Sequence, residues 1–262
     1  MLDSGAVGVS KTHRVANSLR ARITSGDLAP GDAIPPESEL EREFGYNRTT
    51  IRRAISILQG EGLIDVVHGR GTFVRQRRLI RRDPIAGLRY EHQRASGDGS
   101  DTGLFEAVTG TRGTVKVDHS YSNAEARADL AEAFQVEEGT PLLRRTYYYL
   151  VDGAPHQIVE SYLLAEMVAG TAIADPANER PGRGTMAQLR DLSVYVERCT
   201  LGIQTRMPSP HETEALTIGP GTPVMVHRRV MFAEDRVVEV GEIVVPGDRL
   251  LLTLEVDLRS DS

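Results

Sequence analysis

This chain of 262 residues contains one cysteine, Cys199, and that scarcity excludes two architectures at once. No intrachain disulfide can form, and no cysteine-based metal framework exists. Long apolar runs are missing as well: none approaches the roughly 18 residues needed to span a bilayer, and the first 25 residues lack the apolar block of a secretion signal. A cytoplasmic protein with no membrane partner is expected. Lysine is confined to Lys11 and Lys116, so almost all of the 31 basic residues are arginine. Arginine abundance of this kind follows genome composition, and only its placement along the chain is informative.

Signatures of catalysis are absent too. The seven histidines (13, 68, 92, 119, 156, 211 and 227) show no HExxH spacing. There is no GxSxG elbow, no Walker loop and no GxGxxG following a strand. No cofactor and no metal are expected.

What is present describes a folded protein. A composition 40% apolar and 26% charged belongs to globular chains, and the length accommodates two ordinary domains. Charge is divided unevenly between them. Residues 11–82 hold 14 Lys and Arg against 8 Asp and Glu, a surplus of six positive charges, whereas the remainder holds 17 against 29. The overall charge of -6 therefore conceals a basic module joined to an acidic one.

The stretch YNRTTIRRAISIL, residues 46–58, carries the most information in the basic module. Ile51, Ala54, Ile55 and Leu58 recur at i, i+3, i+4 and i+7, the spacing of an amphipathic helix. Asn47 is placed to cap it, because its side chain can accept from an unpaired N–H of the first turn. Arg48, Thr49, Arg52 and Arg53 then share the opposite side, near the helix N-terminus, where the backbone's partial positive charge also favours an anion.

The surroundings supply a context for that face. A first helix is expected over 12–24, stopped by Gly26, followed by turn chemistry around Pro30-Gly31. A short second helix over 37–44 ends at Gly45, and only a few residues separate it from the next. Two helices joined this tightly form a helix-turn-helix, whose second helix enters the DNA major groove. Apolar runs at 63–67 and 72–74 flank His68-Gly69-Arg70-Gly71 and read as a hairpin, the wing of a winged helix. Domain boundaries are expected at 11–77 for this module, 78–103 for a linker and 104–259 for a second domain.

In the second domain the pattern changes to longer strands. Strands are expected at 115–121, 141–150, 157–163, 194–206, 223–233, 237–245 and in the final LLLTLEVDL. Helices are expected at 124–134, in MAQLRDL and in SPHETEAL, the last starting at Ser209. Together these imply an antiparallel α+β domain.

The stretch RITSGDLAPGDAIPPESELEREFGYNRTTIRRAISILQGEGLIDVVHGRGTFV resembles the DNA-binding domain of the GntR family of bacterial transcription regulators. The second half is similar to the effector domain of that family's HutC branch, the UTRA domain, whose fold is chorismate-lyase-like. The resemblance there is carried by EEGTPLLRRTYYYLVDGAPHQIVESYL, by RMPSPHETEALTIGPGTPVMVHRRVMFAEDRVVEV and by GDRLLLTLEVDL. It implies a winged helix-turn-helix followed by an α+β effector domain, acting as a homodimeric repressor that a small-molecule effector releases from pseudo-palindromic operator DNA. Two other readings remain: a constitutive DNA-binding protein whose second domain only dimerises, and an enzyme of chorismate-lyase-like fold.

The resemblance also implies site residues. Asn47, Arg48, Thr49, Thr50 and Arg52 occupy positions that family members use on DNA, and His68, Gly69 and Arg70 form a wing tip that reaches the minor groove. Either arginine can donate twice to the O6 and N7 of a guanine, while the threonines suit phosphate oxygens. Arg42 on the second helix is an additional phosphate candidate. Two positions depart from the family pattern: Pro36 stands where a capping Ser is usual, and Ser38 where many members carry a DNA-contacting Arg.

In sugar-phosphate-binding relatives, two arginines and a glutamate line the effector pocket at positions that here are Tyr147, Tyr149 and Val159. Glu160 lies one residue off and so points to the other face of its strand. Glu239 does match a later glutamate, whereas Val245 replaces a tyrosine. Arg145, Tyr147 and Tyr149 share a face by strand alternation. With Met186 and Glu239 they are expected to line a pocket broader and less cationic than a sugar-phosphate site, suited to an aromatic or partly apolar metabolite.

Overall fold

In the computed structural model, which describes residues 10–67, 69–76, 79–96, 113–180 and 183–256, the basic module opens with helix α1 (Lys11–Ser25). Ser10 caps it by accepting from the His13 backbone N–H, and Gly26 closes it in the left-handed region. Helix α2 (Glu37–Phe44) ends at Gly45, whose φ of 66° turns the chain sharply into α3 (Arg48–Gly60). A residue with a Cβ would be strained at that φ. Ile51, Ala54, Ile55 and Leu58 of α3 are all buried against Val15, Leu19 and Leu40. Each buried Ile, Leu or Val side chain here contributes about 1.5–3 kcal/mol through the water it gives up.

Strands β1 (Ile64–Val67) and β2 (Gly71–Val74) pair antiparallel and complete this core through Ile64 and Val74. The segment before α2 adds to the wing, a feature the turn chemistry at Pro30-Gly31 does not announce. The Ile34 N–H donates to the Thr72 carbonyl at 2.8 Å and Ala33 bridges Phe73.

The chain divides into two compact units, Met1–Arg78 with Ile218–Thr222, and Leu79–Thr217 with Pro223–Ser262. The second is built on a six-stranded antiparallel sheet in the order β4, β5, β6, β9, β8, β7. Its strands are β4 (Val115–Glu125), β5 (Pro141–Val151), β6 (Ala154–Leu164), β7 (Arg198–Arg206), β8 (Val224–Ala233) and β9 (Arg236–Pro246). Asp152 and Gly153, at φ of 51° and 77°, form the two-residue turn between β5 and β6. Helix α5 (Ala128–Phe134) packs Leu130, Ala131 and Phe134 on one face of the sheet. The other face carries Leu143, Leu163 and Met231 and is covered by α6 (Ala165–Val168) and α7 (Thr185–Asp191). Helix α8 (Pro210–Ala215) starts at Ser209 with a reciprocal capping box to Glu212.

Two sequence expectations need correction. The stretch expected as a linker, 78–103, contains strand β3 (Ile80–Arg82) and helix α4 (Pro84–Ser96), which packs on α7. Periodicity concealed this helix because its buried positions are Pro84, Gly87 and Glu91, not a stripe of aliphatic residues. Asp83 supplies its start by accepting from the Ile85 and Ala86 N–H groups. The final strand is also shorter than LLLTLEVDL suggests: β10 (Leu250–Leu252) forms a separate parallel pair with β3, beside the antiparallel six-stranded sheet.

Candidate nucleic-acid interface and small-molecule cavity

The exposed side of α3 is organised by one carboxylate. Glu37, the first residue of α2, accepts from Arg48 Nε at 2.6 Å through one oxygen and from Arg52 Nε at 3.0 Å through the other. The Arg48 bond comes first among the causes that hold the Glu37 carboxyl below the usual range, and burial opposes it. Both arginine side chains stay 66% exposed, and their Nη groups make no hydrogen bond among the described residues. The edge of each guanidinium that can address a guanine is therefore presented outward.

Other sequence candidates fall around this pair. Asn47 caps α3, accepting from the Thr50 N–H at 3.0 Å and from the Thr50 hydroxyl at 2.9 Å. With its proton committed there, the Thr50 hydroxyl is poorly disposed to donate to a phosphate, whereas Thr49 is exposed. Arg42 is exposed, its Nε donating to the Ser38 carbonyl at 3.3 Å. Pro36 precedes α2 without a side-chain cap, as its chemistry requires. Gly69 (φ 74°) and Arg70 are exposed at the hairpin turn, while His68 lies outside the described residues. Arg48, Glu37, Val67, Gly69 and Arg70 line one concavity, so the start of α3 and the wing share a single surface.

In the second unit, a cavity of about 100 Å³ sits against the sheet face that carries the odd-numbered residues of β5. Strand register explains its walls: Tyr147 pairs with Val159, Val159 with Ile243 and Ile243 with His227. Tyr147 and Tyr149 line it as expected from alternation. Burial pushes the Tyr149 phenol up to about 12 and raises that of Tyr147 further. Arg145 and Glu239, in contrast, lie wholly buried beneath the lining. Arg145 donates to Ser161 and Thr185 at 2.9 Å each and to Gln188. Glu239 accepts from Ser161 at 2.7 Å and from two nitrogens of Arg229 at 3.1 Å. Met186 belongs to the apolar core with Leu189 and Met231, and is tied to this region only by its backbone N–H, which donates to Glu91 at 3.2 Å.

The cavity also carries charged groups beyond those expected. Arg82 and Arg229 both line it, with Glu91, Glu179 and His227. Glu179 is fixed by hydroxyls of Tyr121 and Tyr147 and by the Gln188 amide. Arg229 is fixed by Glu239 and by Glu91 at 3.1 Å. Sequence reasoning missed Arg82 and Glu91 because both lie in the stretch assigned to a linker. Arg229 and His227, two apart on β8, were within reach of the alternation argument. No group of His, Cys, Asp and Glu arranged to hold a metal occurs among the described residues. Nor, among them, is any helix long and apolar enough to cross a membrane.

Two family models match this arrangement: the gntR family of bacterial regulatory proteins over residues 11–74, and the UTRA domain over residues 114–250. The chain belongs to the GntR family. It is a DNA-binding transcriptional regulator with a UTRA effector domain, and its relatives are regulators too. It is 31% identical over 253 residues to an uncharacterised HTH-type transcriptional regulator of Rhizobium meliloti (strain 1021), covering 95% of this chain and 96% of that one. The HTH-type transcriptional repressor NagR of Bacillus subtilis (strain 168) is 25% identical over 240 residues, 90% of either chain. Among solved structures, a GntR-family transcriptional regulator superposes with a TM-score of 0.62 at 25% identity, covering 95% of this chain and 98% of that one. PhnF from Mycobacterium smegmatis shares the fold, with a TM-score of 0.52 at 23% identity over 94% of this chain and 100% of that one.

Proposed function

We propose that this GntR regulator is a homodimeric repressor that leaves its operator when a small molecule enters the UTRA cavity. The observation that carries the DNA side is the Glu37 carboxylate holding Arg48 and Arg52 side by side at the start of α3. Arg48 and Arg52 read base edges in the major groove, Thr49 and Arg42 meet phosphates, and Gly69 and Arg70 bring the wing to the minor groove. Asn47 acts as the cap that fixes the helix start, with Thr50 supporting it.

Dimerisation follows from the size of the interface. One winged helix covers few base pairs, and useful specificity comes from two half-sites whose symmetry mirrors the protein's. The UTRA domain supplies the dimer contact and so sets the spacing of the two recognition helices. A ligand shifts DNA affinity only by binding one dimer arrangement better than another, with coupling typically of about 1–3 kcal/mol. Repression is favoured because relatives in Bacillus subtilis and Pseudomonas putida are named as repressors. No catalytic role is assigned to the cavity, and a cytoplasmic location fits a protein that meets the chromosome.

Selection of bound fragments from the source genome by the full-length chain tests this reading. The recovered sites should be two-fold symmetric, with half-site centres about 34–36 Å apart or a multiple of that distance. Isolated half-sites bound by a monomer would contradict it.

A further inference from the structure

The cavity holds one cationic group that no described residue of the protein satisfies. Two of the three arginines in and under it are committed: Arg145 to Ser161, Thr185 and Gln188, Arg229 to Glu91 and Glu239. Arg82, on β3, makes no ion pair or side-chain hydrogen bond among the described residues, and its Nε is shut off from solvent without a partner. On the adjacent wall, His227 is buried and its Nε2 is likewise without a partner. Burial, with Arg229 nearby, holds the Arg82 guanidinium below its usual range. Burial, and then Arg82, lowers His227 to about 4, so its ring is neutral at pH 7.

Leaving a guanidinium Nε and an imidazole nitrogen unsatisfied away from solvent is costly, and proteins retain such groups where something else supplies the partner. The lining narrows what that is. A guanidinium fork matches the two oxygens of a carboxylate. Among the described residues only one unpaired cation lines the cavity, and Glu91 and Glu179 share it, which disfavours a doubly charged phosphate. Leu88, Val117 and Ile243 leave apolar wall for the rest of the molecule.

We infer that the cavity takes a small organic acid, its carboxylate seated on Arg82 and a second polar group meeting His227 Nε2. This rests on the reading of the UTRA domain as the effector-binding part, and it goes further by naming the chemical class and the anchoring residues. Arg82 is not at the positions where the sugar-phosphate-binding relatives place their arginines, which here are Tyr147 and Tyr149. The anion site is thus relocated from β5 to β3.

The test uses the full-length chain and its Arg82→Met variant. Each is melted and titrated with benzoate, phenylacetate and hexanoate, with the matching primary amides, and with inorganic phosphate. At least one acid should raise the melting temperature while its amide does not, because only a bound ligand stabilises by mass action. Arg82→Met should bind that acid about 30-fold more weakly or worse. Without ligand, Arg82→Met should melt no lower than the unaltered chain, since it removes a side chain with no hydrogen-bond or ion-pair partner among the described residues. The assignment is overturned if the amides match the acids, if phosphate alone stabilises the chain, if none of the acids does, or if ligand-free Arg82→Met melts several degrees lower. An amide that both stabilises the chain and releases DNA would remove the carboxylate assignment yet leave the effector reading standing.

Discussion

Glu37 and Arg48 meet at 2.6 Å, and the same carboxylate reaches Arg52 at 3.0 Å, so one acid at the start of α2 orients two guanidiniums a turn apart on α3. Exposed ion pairs stabilise a fold by only about 0–1 kcal/mol. The consequence lies elsewhere: two long side chains are restricted before DNA arrives, which lowers the ordering cost of binding. The carboxylate also repels phosphate, so contacts away from the fitting sequence are weakened.

Glu37→Gln should therefore raise affinity for unrelated duplex DNA while lowering the ratio of specific to non-specific binding by up to about fivefold, the scale of an exposed ion pair. Fluorescence anisotropy on an operator fragment and on a scrambled one, at a single salt concentration, checks both. An unchanged ratio would mean that Glu37 has no part in positioning.

Asn47→Ala should loosen the start of α3. The lost cap accepts from the Thr50 N–H and hydroxyl, and N-cap removal typically costs about 1 kcal/mol. Amide hydrogen exchange in the first turn of α3 should accelerate by roughly fivefold if local opening governs it. Exchange as slow as in the unaltered chain would place the helix start under other control.

Acid should destabilise the UTRA domain before its carboxylates are fully protonated. His227 is lowered from 6.5 to about 4 by burial and then by Arg82, so below pH 6.5 the unfolded chain binds a proton that the folded chain refuses. The folded pKa lies below the unfolded one, and the corresponding stability is complete above about 6.5 and is lost as pH falls towards 4. Melting temperatures of His227→Gln across that window should fall less steeply than those of the unaltered chain. Parallel curves would remove the histidine from the account.

Gly184→Ala should disturb the cavity wall. Gly184 precedes α7 at φ 82°, and an added Cβ would stand 2.8 Å from Glu91 Oε1. Glu91 would have to withdraw from Arg229 and from the Met186 N–H. At φ 82° and ψ 156° the backbone occupies a region open essentially only to glycine, so the strain alone is about 1–3 kcal/mol, and melting should drop by several degrees for the second unit. An unchanged melting temperature would show that the loop relaxes without cost.

How far the sequence revealed this molecule depended on what each element buries. Helix α3 was legible because Ile51, Ala54, Ile55 and Leu58 are all core, leaving its arginines on the other side by subtraction. Helix α4 was illegible because Pro84, Gly87 and Glu91 face inward, and with it went the recognition of Arg82 and Glu91 as cavity residues. Alternation placed Arg145, Tyr147 and Tyr149 on one face correctly. It could not tell that Arg145 lies under the lining while the tyrosines form it, since that depends on side chains arriving from α7 and β9. Met186 was expected in the lining with them, yet its side chain fills the core.

The most direct measurement of the central claim is binding of the doubly substituted chain, Arg48→Ala with Arg52→Ala, to an operator fragment recovered by genomic selection with the unaltered chain. Each bidentate contact to guanine contributes about 1–3 kcal/mol of discrimination, so the variant should bind that fragment no better than a scrambled duplex while keeping the melting profile of the unaltered protein. Affinity for the operator equal to that of the unaltered protein would contradict the assignment of this helix face to DNA.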